Sequence, residues 1–211
     1  MKKIVLNKLD NFLIITKESL SQLEKNQNTL NANIKYWIKK GDLIRIKKGR
    51  YILRSTFDRL DDKEKYLEYL ANKIYQPSYL SCEYVLNKYN LLTEAVYGIT
   101  SVTTKKTKTF NNSFGTFTYY SISPSLFFDY EINKFNNANI LIAKKEKAVF
   151  DFLYLRFFRQ KLINQKIIEQ LRINWENLSK KDFNNLKKYV IISKNKKIIK
   201  VIKLIKKIYY A

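Results

Sequence analysis

Polar and basic side chains concentrate in residues 28–39 and in the basic sequence that follows. The first segment combines Asn and Thr with two lysines, and the sequence LIRIKKGRYIL behind it holds Lys47, Lys48 and Arg50. An Asn amide can form a pair of hydrogen bonds with adenine, and Lys and Arg side chains neutralise phosphates. These residue types favour contact with a nucleic acid, in which amides read bases and cations hold the backbone.

The residues needed for most catalytic and metal chemistry are missing from the sequence. The chain has no His, which removes the commonest general base and metal ligand, and its lone Cys82 can form no zinc cluster and no intrachain disulfide. Four glycines are spaced too widely for a phosphate-binding loop: Gly41, Gly49, Gly98 and Gly115. We therefore expect no catalytic residues, no metal and no cofactor.

Carboxylates are the remaining catalytic candidates. They are Asp129, Glu131, Glu146 and Asp151, and their spacing matches no metal-nuclease pattern. Glu146 falls near a predicted helix start, where the helix dipole favours an anion. Lys147 and Asp151 form an i,i+4 pair, which on a helix surface contributes a few tenths of a kcal/mol. We expect these groups to be structural, and a carboxylate-dependent nuclease is the alternative.

The N-terminal elements must position the polar segment. The pattern predicts a first helix over residues 2–12, an N-cap at Thr16 with a second helix over 17–25, and a turn at 26–28. Thr29 is predicted to cap a third helix over 30–40, which ends at Gly41. Its apolar side chains share one face at 100° per residue: Leu30, Ile34, Trp37 and Ile38. We expect the polar face to point outward.

Two short strands are predicted after Gly41, joined by a turn at 47–49. Three helices followed by a basic hairpin predict a winged helix-turn-helix over residues 1–55, with the third helix in the major groove. The expected DNA-binding residues are Asn28, Thr29, Asn31, Ala32, Lys35, Tyr36, Lys39, Lys47, Lys48 and Arg50. A solvated amphipathic helix and a protein–protein module are the alternative interpretations.

Charge is distributed unevenly along the 211 residues. The formal net charge of +23 divides into +9 over residues 1–55, +1 over 56–155 and +13 over 156–211. A uniform codon bias toward Lys would not leave the middle neutral. The asymmetry favours a polyanionic partner for the two ends.

Residues 56–211 predict a mixed α/β domain, so the expected fold class is α+β with a helical C-terminal region. Helices are predicted over 61–75, 79–89, from about 144, and over 161–172, 179–189 and 195–209. Strands are predicted within 97–122, with a turn at 111–113, and over 139–143. The last helix is sharply amphipathic. Three interpretations of its lysine face remain open: exposure to solvent, contact with a DNA backbone or an acidic partner, and contact with a membrane surface.

Several segments of this region resemble one protein family. The positions that carry the resemblance are Tyr79 and Ser81, then Val102, Thr104 and Lys105, then Ala143, Glu146, Lys147, Ala148 and Asp151. Together with the N-terminal pattern, they resemble the AbiEi antitoxins of type IV (abortive-infection) toxin–antitoxin systems. The sequence departs from the family pattern at Lys145, where Pro is usual, and at 88–90, where His and Gly are common.

The resemblance implies a transcriptional autorepressor that binds repeats in its own promoter through a winged helix. It also implies that the C-terminal domain opposes a nucleotidyltransferase toxin, whose own catalytic signature this sequence lacks. An orphan regulator without a toxin partner is the alternative. The oligomeric state is left open by the sequence.

No apolar run reaches the roughly 18–20 residues that a membrane-spanning helix needs. The start MKKIVLNKLDNF imitates a signal peptide, but Lys8 and Asp10 interrupt its apolar region. A single Cys fits a reducing compartment. We therefore expect a cytoplasmic protein with no membrane partner.

Overall fold

A computed structural model describes residue 6 and residues 8–210, and it confirms a mixed α and β composition. The chain divides into two compact units. Unit 1 comprises Met1–Leu67 together with Phe110–Gly115, and unit 2 comprises Glu68–Thr109 and Thr116–Ala211. Unit 1 thus extends beyond the expected boundary at residue 55 and takes in a second, distant segment.

Unit 1 combines helices with a small antiparallel sheet. Its elements are β1 (Ile15–Thr16), α1 (Lys17–Ser21), α2 (Gln27–Lys40), β2 (Leu43–Lys47), β3 (Arg50–Leu53) and α3 (Arg54–Asp58). The three strands lie in the order β1-β3-β2, with Ile15 opposite Tyr51 and Ile44 opposite Ile52. The predicted hairpin is confirmed, and the sequence did not predict the added strand β1.

The core of unit 1 lies between the helices and the sheet. Leu20, Leu30 and Trp37 are almost fully buried and pack with Ile15 and Leu53. A second group of side chains joins Phe57, Tyr66 and Phe114, with ring centroids 4.9 Å apart for Phe57 and Phe114. Phe114 is half-buried and belongs to the distant segment, so that segment contributes an aromatic ring to this unit.

The boundaries of the N-terminal helices differ from the prediction. The Thr16 cap is confirmed, because its hydroxyl accepts from the Ser19 N–H at 3.2 Å, but α1 ends at Ser21 instead of residue 25. Of the first helix predicted over 2–12, residues 1–5 and 7 lie outside the described residues, and residues 8–9 belong to a 3-10 turn. An α-helix over residues 8–12 was therefore wrong.

Unit 2 is built on a mixed sheet in the order β6-β7-β5-β4-β9-β8, of which residues 110–112 of β6 and Gly115 of β7 are counted with unit 1. The strands are β4 (Ser78–Leu80), β5 (Ile99–Thr103), β6 (Lys108–Asn112), β7 (Gly115–Ser121), β8 (Tyr130–Phe135) and β9 (Ala138–Ala143). β4 pairs antiparallel with β5 and parallel with β9, and β5 pairs parallel with β7. β5, β6, β7 and β9 were predicted, whereas β8 was not.

Helices make up the rest of the unit. They are α4 (Lys63–Ile74), which begins in unit 1, α5 (Glu83–Lys88), α6 (Lys145–Phe158), α7 (Gln165–Glu169), α8 (Lys180–Ser193) and α9 (Lys196–Tyr209). The helix predicted over 79–89 was wrong at its start, since Tyr79 and Leu80 belong to β4. The helix predicted over 161–172 is also shorter, because it contracts to α7.

The predicted amphipathic character of α9 is confirmed. Ile198, Val201, Ile202 and Ile205 are buried, while its lysines are exposed. None of the helices in the described part of the chain has the length and apolarity needed to cross a membrane.

Candidate nucleic-acid interface

The start of α2 is fixed by an amide. The Asn26 side chain accepts hydrogen bonds from the N–H groups of Asn28 at 3.0 Å and Thr29 at 3.1 Å. Thr29 is therefore not the N-cap, and residues 26–28 are the cap and first turn instead of a free turn. The structure moves the helix start three positions toward the N-terminus because Asn26 satisfies backbone donors that would otherwise be unpaired.

The inner face of α2 holds the helix in unit 1. Leu30 is fully buried, Trp37 is 1% exposed and Ile34 is 4% exposed. Ile38 is partly buried and packs against the same core. The orientation of the helix is thus set by the apolar face that the sequence predicts.

The outer face of α2 is open to solvent in unit 1. Every predicted contact residue of this helix is exposed: Asn28, Thr29, Asn31, Ala32, Lys35, Tyr36 and Lys39. No acidic residue occurs within α2, and the Lys40 ammonium lies 5.5 Å from the centroid of the Tyr36 ring. The face therefore offers hydrogen-bonding groups and positive charge together.

The hairpin holds its cations around a tight turn. Lys48 is exposed at this turn, and Lys47 and Arg50 are half-buried at the strand ends beside it. Gly49 adopts a φ of +75°, a left-handed conformation that glycine reaches without cost. The turn is thus the two residues between Lys47 and Arg50, one fewer than predicted.

Two contacts anchor the hairpin within unit 1. The Lys17 N–H donates to the Gly49 carbonyl at 2.9 Å, and the Asn112 amide donates to the Ile46 carbonyl at 2.9 Å. Lys47 Nζ also lies 6.0 Å from the centroid of the Phe110 ring. The hairpin is therefore bonded to the start of α1 and to the distant segment of unit 1.

A short connection joins α2 to the hairpin. Gly41 ends the helix with a φ of +79°, and the Asp42 N–H donates to the Trp37 carbonyl at 3.0 Å. The Asp42 carbonyl in turn accepts from the Arg54 N–H at 2.9 Å. Because these bonds tie the connection at both ends, the polar face and the basic turn keep a defined relation to each other.

Three charged groups at this surface were missed by the sequence reasoning. Lys40 and Arg45 are exposed, and Glu24 accepts a hydrogen bond from the Asn26 N–H at 2.9 Å just before the helix. Arg45 could have been identified, because Ile44 and Ile46 on either side face inward and strand alternation then turns it outward. Glu24 places a negative charge next to the helix N-terminus.

The family-like positions of unit 2 converge on a buried cluster. Asp151 accepts hydrogen bonds from the hydroxyls of Tyr79 at 2.9 Å and Ser81 at 2.8 Å, and it forms an ion pair with Lys147. Both charged side chains are fully buried. The weak surface pair expected from their spacing was therefore wrong, since burial changes the energetics of such a pair.

Aromatic rings enclose the Lys147 ammonium. The ring centroids of Tyr79, Phe128, Phe150 and Tyr189 lie between 5.3 and 5.9 Å from its nitrogen. Ring faces attract a cation that has lost its water. Burial raises the pKa of the Asp151 carboxyl, while Lys147 and the two hydroxyls oppose that rise.

A second charged cluster lies around Asp129. This carboxylate accepts from the Tyr189 hydroxyl at 2.6 Å and pairs with Lys144 at 2.8 Å and with Lys188. Burial acts to raise its pKa, but the bonds from Lys144, Lys188 and Tyr189 outweigh burial and hold the pKa well below its usual value. Asp129 is thus a permanently charged structural group at neutral pH.

The other family-like positions do not join these clusters. Val102 is buried, Thr104 is half-buried, Lys105 is exposed, and Glu146 accepts from the Asn185 amide at 3.4 Å. Among residues 6 and 8–210, no three carboxylate or thiol groups are placed to hold a metal ion.

A scan against protein-family models finds no match to the chain, and a search of curated proteins finds none either.

Proposed function

We propose that the chain is a DNA-binding transcriptional regulator that places α2 in the major groove of duplex DNA. The observation that carries the proposal is the outer face of α2, which is exposed, rich in amides and lysines, and free of acidic residues. The major groove is about 12 Å wide and admits one α-helix. Asn31 and neighbouring polar residues would then face base edges.

The arrangement of elements in unit 1 supports a winged helix-turn-helix. A helix, a short connection and a second helix are followed by a hairpin, and the strand order β1-β3-β2 adds the segment before α1 to that hairpin. In this proposal Lys47, Lys48 and Arg50 contact phosphates beside the groove. Phosphate contacts supply affinity, and base contacts from α2 supply specificity.

We further propose that the regulator is an AbiEi-like antitoxin of a type IV system, which represses its own promoter and opposes a nucleotidyltransferase toxin. The support is the convergence of motif positions that are far apart in sequence. Tyr79, Ser81, Lys147 and Asp151 form one buried cluster, as expected if they are a shared structural signature. In this role the chain acts in the cytoplasm by binding and has no catalysis of its own.

The DNA-binding proposal is tested by fluorescence anisotropy with the DNA upstream of the chain's own gene. The double variant Asn31→Ala/Lys35→Ala should weaken binding to this DNA by at least tenfold, since it removes a base contact and a phosphate contact. Lys65→Ala is the matched control, because Lys65 on α4 is exposed and pairs with Asp62, which directly precedes that helix. Equal affinity of the double variant and the wild type would reject the proposal.

The antitoxin proposal has a separate test. A reading frame for a nucleotidyltransferase should lie beside the gene, and its product should arrest growth unless this chain is co-expressed. A growth arrest that the chain does not relieve would leave the alternative, an orphan regulator that binds DNA without opposing a toxin.

A further inference from the structure

The outer face of α9 carries a row of lysines, which we call the lysine stripe. Lys196, Lys200, Lys203 and Lys207 follow the i, i+4, i+7, i+11 spacing, and all four side chains are exposed. At 100° per residue their directions lie within about 60° of one another. At 1.5 Å per residue the stripe is about 16 Å long. Four like charges therefore share one side of a single helix.

The lysine stripe has no counter-charge in the described part of the chain. No Asp or Glu occurs within α9, and no stripe lysine forms an ion pair or a side-chain hydrogen bond with another described residue. Like charges at this spacing destabilise a helix. A helix that keeps such a row favours a partner of opposite charge, which relieves the repulsion when it binds.

The apolar face of α9 is not available to a partner. Ile198, Val201, Ile202 and Ile205 are buried, and the helix packs on α6 and α7. An amphipathic helix binds to a membrane surface through its apolar face. Because this face of α9 is used for packing within unit 2, the structure favours a partner on the lysine face over a membrane surface.

Apolar side chains border the lysine stripe on both sides. Ile199 is 37% exposed and lies about 60° from Lys196 around the helix axis. On the other side of the stripe, the Lys197 ammonium donates to the Phe158 carbonyl at 3.1 Å, and Phe158 is 51% exposed. The surface thus combines a central row of cations with apolar groups at its margins.

The start of α9 is fixed by local hydrogen bonds. The Asn195 side chain accepts from the N–H groups of Lys197 at 2.9 Å and Ile198 at 3.3 Å. The Asn195 N–H in turn donates to the Ser193 hydroxyl at 3.3 Å. The lysine stripe therefore lies on a capped helix, and a preorganised surface loses less conformational entropy when a partner binds.

The combination of cations and apolar groups favours a protein partner over a nucleic acid. A phosphate backbone binds cations by charge alone. A protein can place carboxylates opposite the lysines and apolar side chains opposite Ile199 and Phe158, as protein interfaces combine apolar contact with complementary charge. The partner surface that fits is therefore acidic along one line and apolar beside it.

We propose that the outer face of α9 binds an acidic amphipathic helix of a partner protein. Carboxylates of that helix face the lysine stripe, and its apolar side chains contact Ile199 and Phe158. The surface lies within unit 2 and uses none of the residues that the DNA-binding proposal requires. A second copy of this chain is not the expected partner, because its net charge is +23.

The test measures binding of two designed helical peptides to the full chain by fluorescence anisotropy, at about 0.15 M salt. Both peptides carry glutamates at the spacing of the lysine stripe. The first has leucines beside the glutamates, and the second has alanines in their place. The leucine peptide should bind at least tenfold more tightly. Because both peptides carry the same charge, general attraction to a basic chain cannot produce this difference.

Charge variants locate the binding surface. The first replaces three stripe lysines: Lys196→Ala/Lys200→Ala/Lys203→Ala. It should weaken binding of the leucine peptide at least tenfold. The matched control removes the same charge from exposed positions of α8: Lys180→Ala/Lys181→Ala/Lys187→Ala. This control should change the affinity by no more than about twofold.

An apolar variant tests the margin of the surface. Ile199→Ser should weaken the leucine peptide and leave the alanine peptide unchanged, because only the former has an apolar side chain opposite this position. Ile132→Ser is the matched control, since Ile132 is 58% exposed on β8. It should leave the binding of both peptides unchanged.

Four results would overturn the proposal. They are equal affinity for the two peptides, no binding of the leucine peptide at about 1 mM, an equal loss in the two triple variants, and an unchanged leucine-peptide affinity in Ile199→Ser. The stripe variant is also measured with a DNA duplex and with phosphatidylglycerol vesicles. Weaker binding to either of these with unchanged peptide binding would assign the stripe to a nucleic acid or a membrane instead.

Discussion

Lys147 carries a charge in the interior of unit 2, where Asp151 and aromatic rings replace water. Loss of one member of a buried ion pair lowers the free energy of unfolding far more than the same loss in a surface pair does. The reason is that the other charge stays buried without compensation. The pair also orders its surroundings, since Asp151 holds the hydroxyls of Tyr79 and Ser81. These residues therefore fix how β4 meets α6.

The variant Lys147→Met should lower the free energy of unfolding by roughly 3–5 kcal/mol. The double variant Lys147→Met/Asp151→Asn should recover much of that loss, because Asn is neutral and still accepts from both hydroxyls. Urea unfolding can be followed through Trp175 alone in a Trp37→Phe background, since the chain has two Trp residues. A double variant less stable than the single variant would contradict this account.

Asp129 gives unit 2 a pH dependence. Its pKa is lowered in the fold, so its bonds with Lys144 and Lys188 stabilise the protein above the usual Asp pKa of 3.8. This stabilisation is lost as the pH falls from there through the lowered pKa. Asp129→Asn should thus reduce stability at pH 7, and the gap to the wild type should narrow at pH 3.

Urea unfolding at the two pH values measures this gap. Glu131→Gln serves as the control, because Glu131 is exposed and lies on the edge strand β8. Its effect should stay within about 0.5 kcal/mol at either pH. A gap for Asp129→Asn that widens at pH 3 would show the opposite linkage.

Whether a side chain points inward or outward was predictable where the helical period of the apolar residues determines its direction. The outward positions of Asn31 and Lys35 follow from the apolar face of the helix. The buried Lys147 was not predictable, because its partners Tyr79 and Ser81 lie far away in sequence and local spacing alone describes a surface pair. The burial of such a side chain depends on contacts between residues far apart in sequence, and the local sequence pattern does not contain that information.

At the scale of elements, we expect α2 and the hairpin to have different roles in DNA binding. The hairpin cations Lys47, Lys48 and Arg50 contribute electrostatic attraction, which depends on salt. Each phosphate contact contributes about 0.9 to the slope of log affinity against log salt concentration. Replacing all three by Ala should flatten the slope by up to about 2.7 and leave the preference among DNA sequences unchanged.

Affinity measured from about 0.05 to 0.2 M salt gives the slope. The control replaces Lys63, Lys65 and Arg59 by Ala, which removes the same charge outside the hairpin. A triple hairpin variant that loses sequence preference while keeping its slope would assign base reading to the hairpin instead of to α2.

Element boundaries were harder to predict than element types. Residues 26–28 have the composition of a turn, yet Asn26 caps a helix because its side chain reaches two N–H groups. β8 was missed because its exposed Glu131, Asn133 and Lys134 hide the strand pattern. An edge strand with polar residues gains its structure from pairing with β9, and that pairing is not encoded locally.

At the scale of the whole molecule, unit 1 is not a continuous stretch of chain. A fragment of residues 1–67 lacks Phe114, which packs on Phe57 and Tyr66, and Asn112, which bonds to the Ile46 carbonyl. Phe114 is half-buried, and each of its ring pairs contributes about 0.5–1.5 kcal/mol beyond the burial of its surface. The fragment should therefore be less stable than unit 1 in the full chain.

Urea unfolding followed by Trp37 fluorescence measures the stability of the fragment and of unit 1 in the full chain. The fragment contains this Trp alone, and a Trp175→Phe background isolates it in the full chain. A peptide spanning residues 108–118, added to the fragment, should restore part of the stability. Coincident urea midpoints for fragment and full chain would refute the contribution of the distant segment.

Because unit 1 consists of two separate segments of the sequence, these segments are translated at different times. The hairpin leaves the exit tunnel early, but Phe110–Gly115, which completes the unit, is translated several dozen codons later. At about 5–20 residues per second, the nascent N-terminal segment waits a few seconds for its last component. A polypeptide truncated before residue 110 would lack the second segment of unit 1, the unit that we propose binds DNA.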